Sequence, residues 1–121
     1  MQRIEKLIFD LNIDTVVIHS DGDFNQDHNA AFALCTTAAR HCDNILCYGS
    51  NGYSRTKQFM PNFFVDISQY IETKKSVLNL YSSDHNRFGR LFDICISRNQ
   101  VWGYSCNCDY AEAFEIIKIK V

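Results

Sequence analysis

Apolar residues recur at helical spacing at Ile4, Leu7, Ile8 and Leu11, which predicts an amphipathic helix over residues 2–11. The next apolar run, residues 15–18, is β-branched and unbroken, the pattern of a buried strand such as a parallel sheet contains. A helix leading into such a strand is half of an α/β unit. After a polar loop, an alanine-rich helix is predicted from about residue 28 to 41, with Asp27 placed to cap its free N–H groups. Residues 45–48 read as a second short buried strand. The stretch GSNGYSRTKQFMPN, residues 49–62, has the Gly, Ser and Asn content of a loop.

The pattern resumes with a strand over 63–67 and a helix over 68–81, which places Tyr70, Ile71, Val77, Leu78 and Tyr81 near one face. A turn-like SSDHN precedes a further helix from about 87 to 102. At the C-terminus Ile117, Ile119 and Val121 alternate with Lys118 and Lys120, which predicts a half-buried edge strand. Repeats, low-complexity tracts and linkers are absent, so residues 1–121 are expected to form a single α/β domain.

Composition narrows the function classes. A chain of 121 residues with ordinary apolar and charged fractions has one domain's length and no signature of disorder. A net charge of -2 gives no electrostatic reason to expect nucleic acid or an anionic membrane as partner. No apolar run has the length of a transmembrane helix, and MQRIEKLIFD carries acids where a signal peptide needs an apolar core. A cytoplasmic protein is expected. Six cysteines would suit a disulfide framework only in a small secreted chain. Cys35, Cys47 and Cys95 lie among apolar residues and read as buried thiols. Cys106 and Cys108 form a C-x-C pair, a weak zinc signal without a second pair, so reduced thiols are the simpler reading.

The candidate chemistry sits in HSDGDFNQDHN, residues 19–29, at the C-terminal end of a predicted strand, where open α/β sheets build their sites. His19, Asp23, Asp27 and His28 are donors suited to zinc or a similar divalent ion. DGDFNQD partly imitates a calcium loop but lacks its central glycine and final glutamate. On spacing alone a metal site, an acid–base cluster and a solvated acidic turn all stay open.

The run H19-x-x-x-D23-x-N25-Q26-D27-H28, with its alanine-rich helix, resembles the second motif of the LmbE/PIG-L family of zinc-dependent N-deacetylases. PNFFVDISQYIETKKSVLNLYSS at 61–83 resembles that family's strand–helix segment, and YAEAFEIIKI at 110–119 its closing strand. The three occur in family order and span nearly the whole chain. The resemblance implies part of a Rossmann-like three-layer α/β fold and removal of an acetyl group from an N-acetylglucosamine-type sugar conjugate. It implies His28 as a zinc (Zn2+) ligand and Asp27 as the carboxylate that orients an imidazole. His19 and Asp23 would line the same pocket, contacting substrate or supporting the groups that do, and Glu112 would be structural or at the pocket edge.

Two departures limit the transfer. The family's first motif, H-P-D-D-E, which supplies a zinc histidine, a zinc aspartate and the general base, is absent. Asn25 stands where many members have a histidine that stabilises the developing oxyanion; an amide still donates a hydrogen bond but carries no positive charge. With an incomplete ligand set, the chain is expected to need a complementary chain carrying H-P-D-D, or a second copy of itself. The absent strands would also leave the strand at 15–18 with an open edge. Two further readings are a non-catalytic sugar- or nucleotide-binding or assembly module, and a small domain with its own His/Asp metal site. Residues 49–62, a candidate specificity region, carry no readable code.

Overall fold

A computed structural model describes residues 1–50, 56–81 and 85–121, with 85–89 as backbone. Parts of the 49–62 loop (51–55) and of the SSDHN turn (82–84) lie outside the described residues. The elements are α1 (Gln2–Asp10), β1 (Thr15–His19), α2 (Gln26–Ala38), β2 (Asn44–Tyr48) and β3 (Phe63–Asp66). A single 3-10 turn, Ser68–Tyr70, then leads into α3 (Ile71–Asn79), α4 (His85–Ser105) and β4 (Ala111–Lys118). The strands form one mixed sheet in the order β1-β2-β4-β3, with β1 parallel to β2 and β2 antiparallel to β4. The fold is α/β, a four-stranded mixed sheet flanked by helices.

The chain divides into two compact units, Met1–Phe63 with Phe114–Val121, and Phe64–Ala113. In the first, parallel register pairs Val16 with Ile45 and Ile18 with Cys47, so these four side chains share one face of the sheet. Ile18, Ile45 and Cys47 are buried there with Ala39 and Cys42, and Ile8, Phe32 and Cys35 from the helices pack against them. α1 ends on Asn12 in the left-handed region (φ 53°), which lets the N–H of Ile13 return to the carbonyl of Ile8. In the second unit, buried Asn99 on α4 donates through Nδ2 to the carbonyl of Ala111 at 2.8 Å. Gly103 lets α4 pass close to the following turn, since a Cβ there would lie 2.7 Å from the backbone of Asp109.

Several expectations are corrected. β4 is an interior strand, and its buried positions are Ala111 and Ala113, whereas Ile117, Ile119 and Val121 are exposed. The strand begins further upstream than the Ile/Lys alternation suggests, and Phe114, Glu115, Ile116 and Lys118 are its partners to β2. β1 is an edge strand in which only Ile18 is buried, while Val17 on the opposite face is 49% exposed. The stripe of α1 is half used, since Ile8 meets the core but Leu7 and Leu11 remain exposed. Cys47 is buried as expected, but Cys42 rather than Cys35 or Cys95 is the second buried thiol. The predicted 28–41 helix begins earlier, and its cap is Asn25 rather than Asp27.

Truncating Ile18, 5% exposed, leaves a cavity beneath α2. Ile18→Ala is expected to lower the unfolding free energy by about 3 kcal/mol. Leu11→Ala, on the exposed side of the chain following α1, should move it by less than about 1 kcal/mol. Urea unfolding followed by circular dichroism decides; equal losses would contradict this placement of the core.

Candidate functional site

β1 ends at His19, and the ladder continues for one more bond, from the N–H of Ser20 to the carbonyl of Tyr48 at 2.9 Å. The chain then turns at Gly22, which has φ 86°, and an added Cβ would meet Lys57 Cβ at 2.7 Å. Both conformation and space therefore demand glycine. The turn sends Asp23 inward, where it is 2% exposed. Two residues on, Asn25 caps α2 by accepting from the N–H groups of Asp27 (2.9 Å) and His28 (3.3 Å). Asn29 closes the loop from the first turn of the helix, donating to the carbonyl of Asp23 and accepting from the N–H of Gly22.

Three donors converge on the Asp23 carboxylate. The N–H of Asn25 reaches Oδ1 at 2.8 Å, and His28 Nδ1 and Ser50 Oγ both reach Oδ2 at 2.6 Å. His28 also stacks on His19, with ring centroids 4.2 Å apart and planes inclined by 24°. His19 Nε2 lies 2.7 Å from the hydroxyl of Tyr48, its register partner on β2. Ser50, Asp23, His28, His19 and Tyr48 thus form one continuous polar cluster at the C-terminal ends of two parallel strands.

Burial alone would raise the carboxyl of Asp23, but the hydrogen bonds from Ser50, His28 and the Asn25 N–H outweigh it and hold the group below its ordinary value. An ionised Asp23 must accept, so His28 donates from Nδ1, and neutral His28 carries its lone pair on Nε2. For His19, burial and then the neighbouring His28 ring favour the neutral form, against a weaker opposing pull from Asp23. Tyr48 is pushed up by burial and by the charge of Asp23, so its phenol stays protonated. The arrangement is a buried anion orienting one imidazole, beside a second, neutral imidazole held by a phenol.

The structure brings His19, Asp23 and His28 together. Asn25 lies beside them, with its side-chain oxygen engaged in the cap. The carboxylate on His28 is that of Asp23, whereas Asp27 is exposed in the first turn of α2. Glu112 belongs to the second unit, where it accepts from Lys74 Nζ at 2.6 Å. Tyr48 and Ser50 escaped the sequence reading. The signal for them is the parallel β1–β2 register, which sets residue 48 beside residue 19. Asp21 makes an exposed ion pair with Lys57 at 3.0 Å, of the kind that contributes little to stability.

A zinc ion fits these residues poorly. Imidazole ligands bind in the plane of the ring at about 2.0–2.1 Å. The nearly parallel His19 and His28 planes cannot both aim a nitrogen at one ion across a 4.2 Å stack. Asp23 is engaged through both oxygens, and among the described residues no group of three or more His, Cys, Asp or Glu is placed to hold a metal. A groove of about 540 Å³ involving Ile8, Phe9, Ile13 and Cys42 includes none of the cluster residues. Among the described residues no helix is long and apolar enough to cross a membrane.

No protein-family model and no curated protein matches the sequence. Solved structures do match. The chain superposes on the conserved protein TT1542 of Thermus thermophilus with a TM-score of 0.81 and 20% identity, covering 98% of this chain and 58% of that one. It superposes on the N,N'-diacetylchitobiose deacetylase of Pyrococcus horikoshii, solved with an inhibitor, with a TM-score of 0.74 and 16% identity over 96% of this chain and 50% of that one. It also superposes on GalB, the 4-carboxy-2-hydroxymuconate hydratase of Pseudomonas putida KT2440, with a TM-score of 0.79 and 16% identity, covering 98% and 58%. At these identities the likeness is one of fold. The chain spans just over half the length of these proteins, or half in the case of the deacetylase.

The electrostatics predict a two-step acid sensitivity. His19 lies below its ordinary 6.5, so its contribution to stability is complete above that value and is lost as pH falls below it. Asp23 lies below its ordinary 3.8, so its contribution is complete above 3.8 and is lost on further acidification. His19→Gln should flatten the upper step alone. Asp23→Asn should remove the lower step and cost about 2 kcal/mol at neutral pH, because it weakens charge-assisted hydrogen bonds. Denaturant unfolding from pH 8 to 3 checks both; an unchanged acid limb in Asp23→Asn would refute the role given to that carboxylate.

Proposed function

We propose that this chain supplies one half of an amide-hydrolysing centre of the deacetylase type, acting on an N-acetylglucosamine-type sugar conjugate. The centre would be completed by a complementary protein part, contributed by another chain or a second copy. The observation that carries this reading is the buried Asp23 carboxylate bonded to His28 Nδ1 at 2.6 Å, in a fold shared with a chitobiose deacetylase.

In this reading His28 accepts and returns a proton at Nε2, and Asp23 fixes its tautomer and stabilises the imidazolium that forms. Asn25 offers Nδ2 as a neutral donor to a developing oxyanion, and His19 lines the substrate side. The zinc that the sequence resemblance implies has no ligand set among the described residues, so no step is assigned to it. The partner reading draws support from β1, whose outer edge has no neighbouring strand among the described residues and whose Val17 is exposed on the face away from the core. An apolar edge of this kind is stabilised by an added strand. The hydratase neighbour supports a second reading, in which the same imidazole handles the proton during addition of water to a carbon–carbon double bond.

Purified alone, the chain is expected to release no acetate from N-acetylglucosamine derivatives and to hold less than one equivalent of zinc by elemental analysis. Zinc-dependent acetate release by the isolated chain would overturn the half-site reading. Release by a complex purified from the native source, abolished by His28→Ala, would support it. Light scattering at micromolar concentration should show an oligomer or complex that Val17→Lys weakens. A monodisperse monomer would count against the partner.

A further inference from the structure

α4 ends at Ser105, and the carbonyl of Gly103 holds both ends of the turn that follows. Gly103 accepts from the N–H groups of both Cys106 (3.1 Å) and Cys108 (2.9 Å). Between the two cysteines, Asn107 adopts the left-handed region at φ 62°, which asparagine tolerates better than most residues. A single left-handed residue folds the flanking side chains back together, and the two Sγ atoms meet at 3.4 Å. The backbone of Cys108 and Asp109 passes close over Gly103, where an added Cβ would lie 2.7 Å from it. Both thiols are partly exposed, whereas Cys42 and Cys47 are buried, and burial pushes the Cys47 thiol up to about 12.

We propose that Cys106 and Cys108 form a thiol-modification site that reacts with low-molecular-weight disulfides and closes to a disulfide within the turn. The site lies wholly in the second unit and does not depend on the reading of His28. No third cysteine, histidine or carboxylate joins the pair in a metal-holding group among the described residues, so the geometry favours bond formation between the sulfurs over a shared ion.

The two cysteines have different parts. Cys108 is held by a hydrogen bond from Sγ to the carbonyl of Tyr110 at 3.4 Å. Its thiol is pushed up to about 11 by partial burial, by its hydrogen bond with Cys106 and by the charge of Asp66. With Cys108 Sγ engaged at the Tyr110 carbonyl, Cys106 attacks first. Its thiolate forms a bond to one sulfur of the small disulfide, whose S–S bond breaks and releases one thiolate. Cys108 then gives its proton to that thiolate and attacks Cys106 Sγ, which expels the second thiolate; this takes the proton that Cys106 lost. Two protein thiols are oxidised and one small disulfide is reduced to two thiols. Closing a three-residue loop strains the bond, and strained exposed disulfides are the readily reversible ones.

The test is to treat the reduced, folded chain with oxidised glutathione, alkylate the remaining thiols and map the peptides by mass spectrometry. The peptide spanning 106–108 should be lighter by two hydrogens, without attached glutathione, and dithiothreitol should restore it. Cys108→Ser should retain glutathione on Cys106, and Cys106→Ser should slow the modification of Cys108 about tenfold. Serine keeps a donor for the Tyr110 carbonyl, and the wild-type mass decides even if a variant is unstable. Glutathione that persists on the wild-type pair, linkage of either cysteine to Cys35 or Cys95, or a pair that stays unmodified would each overturn the proposal.

Discussion

A carboxylate withdrawn from water destabilises a protein by several kcal/mol unless donors replace its hydration. Asp23 meets that condition with three donors drawn from three places: the turn before α2, the first turn of α2 itself and the segment after β2. One anion therefore ties together the C-terminal ends of β1 and β2 and the N-terminal end of α2. The direction of the His28 ring and the stacking of His19 on it follow from that tie. The inward turn at Gly22 delivers Asp23 to its donors. Without the carboxylate the loop would keep its helix cap but lose the reason for its shape.

The sheet shows a contrasting economy at β1. Its core face is complete, with Val16 and Ile18 set against Ile45 and Cys47, yet its other face and outer edge present Val17 uncovered. Parallel strands are ordinarily covered on both faces. The solved structures of like fold are longer chains, of which this one spans about half to three-fifths. The exposed Val17 is apolar surface on the strand that the half-site proposal uses.

Much of this arrangement was legible because it is local. His19, Asp23 and His28 lie within ten residues on one strand–loop–helix connection, so spacing alone brings them near each other. Tyr48 and Ser50 were not legible, because their place beside that loop depends on the parallel register of β1 against β2, and no local pattern encodes register. The same limit explains the strands. β-branched residues at 15–18 announce a strand but do not say whether it is central or at the edge. In β4 the core positions are Ala111 and Ala113, whose small side chains give hydropathy little to detect. The carboxylate that meets His28 was not legible either: Asp27 is adjacent in sequence but exposed in the first turn of α2, while the turn at Gly22 brings Asp23 back to the ring.

Asn25 shows how tightly this loop limits its own divergence. Its side-chain oxygen serves two N–H groups of α2, including that of His28, and its backbone N–H serves Asp23. A histidine at this position, the residue common in the family that the sequence resembles, has no side-chain oxygen and is not among the favoured caps. Introducing it to gain a positively charged donor would loosen the helix end that positions the neighbouring imidazole. Position 25 thus serves the helix end directly, and any substitution that removes its side-chain oxygen releases two N–H groups of α2, one of them that of the imidazole-bearing residue.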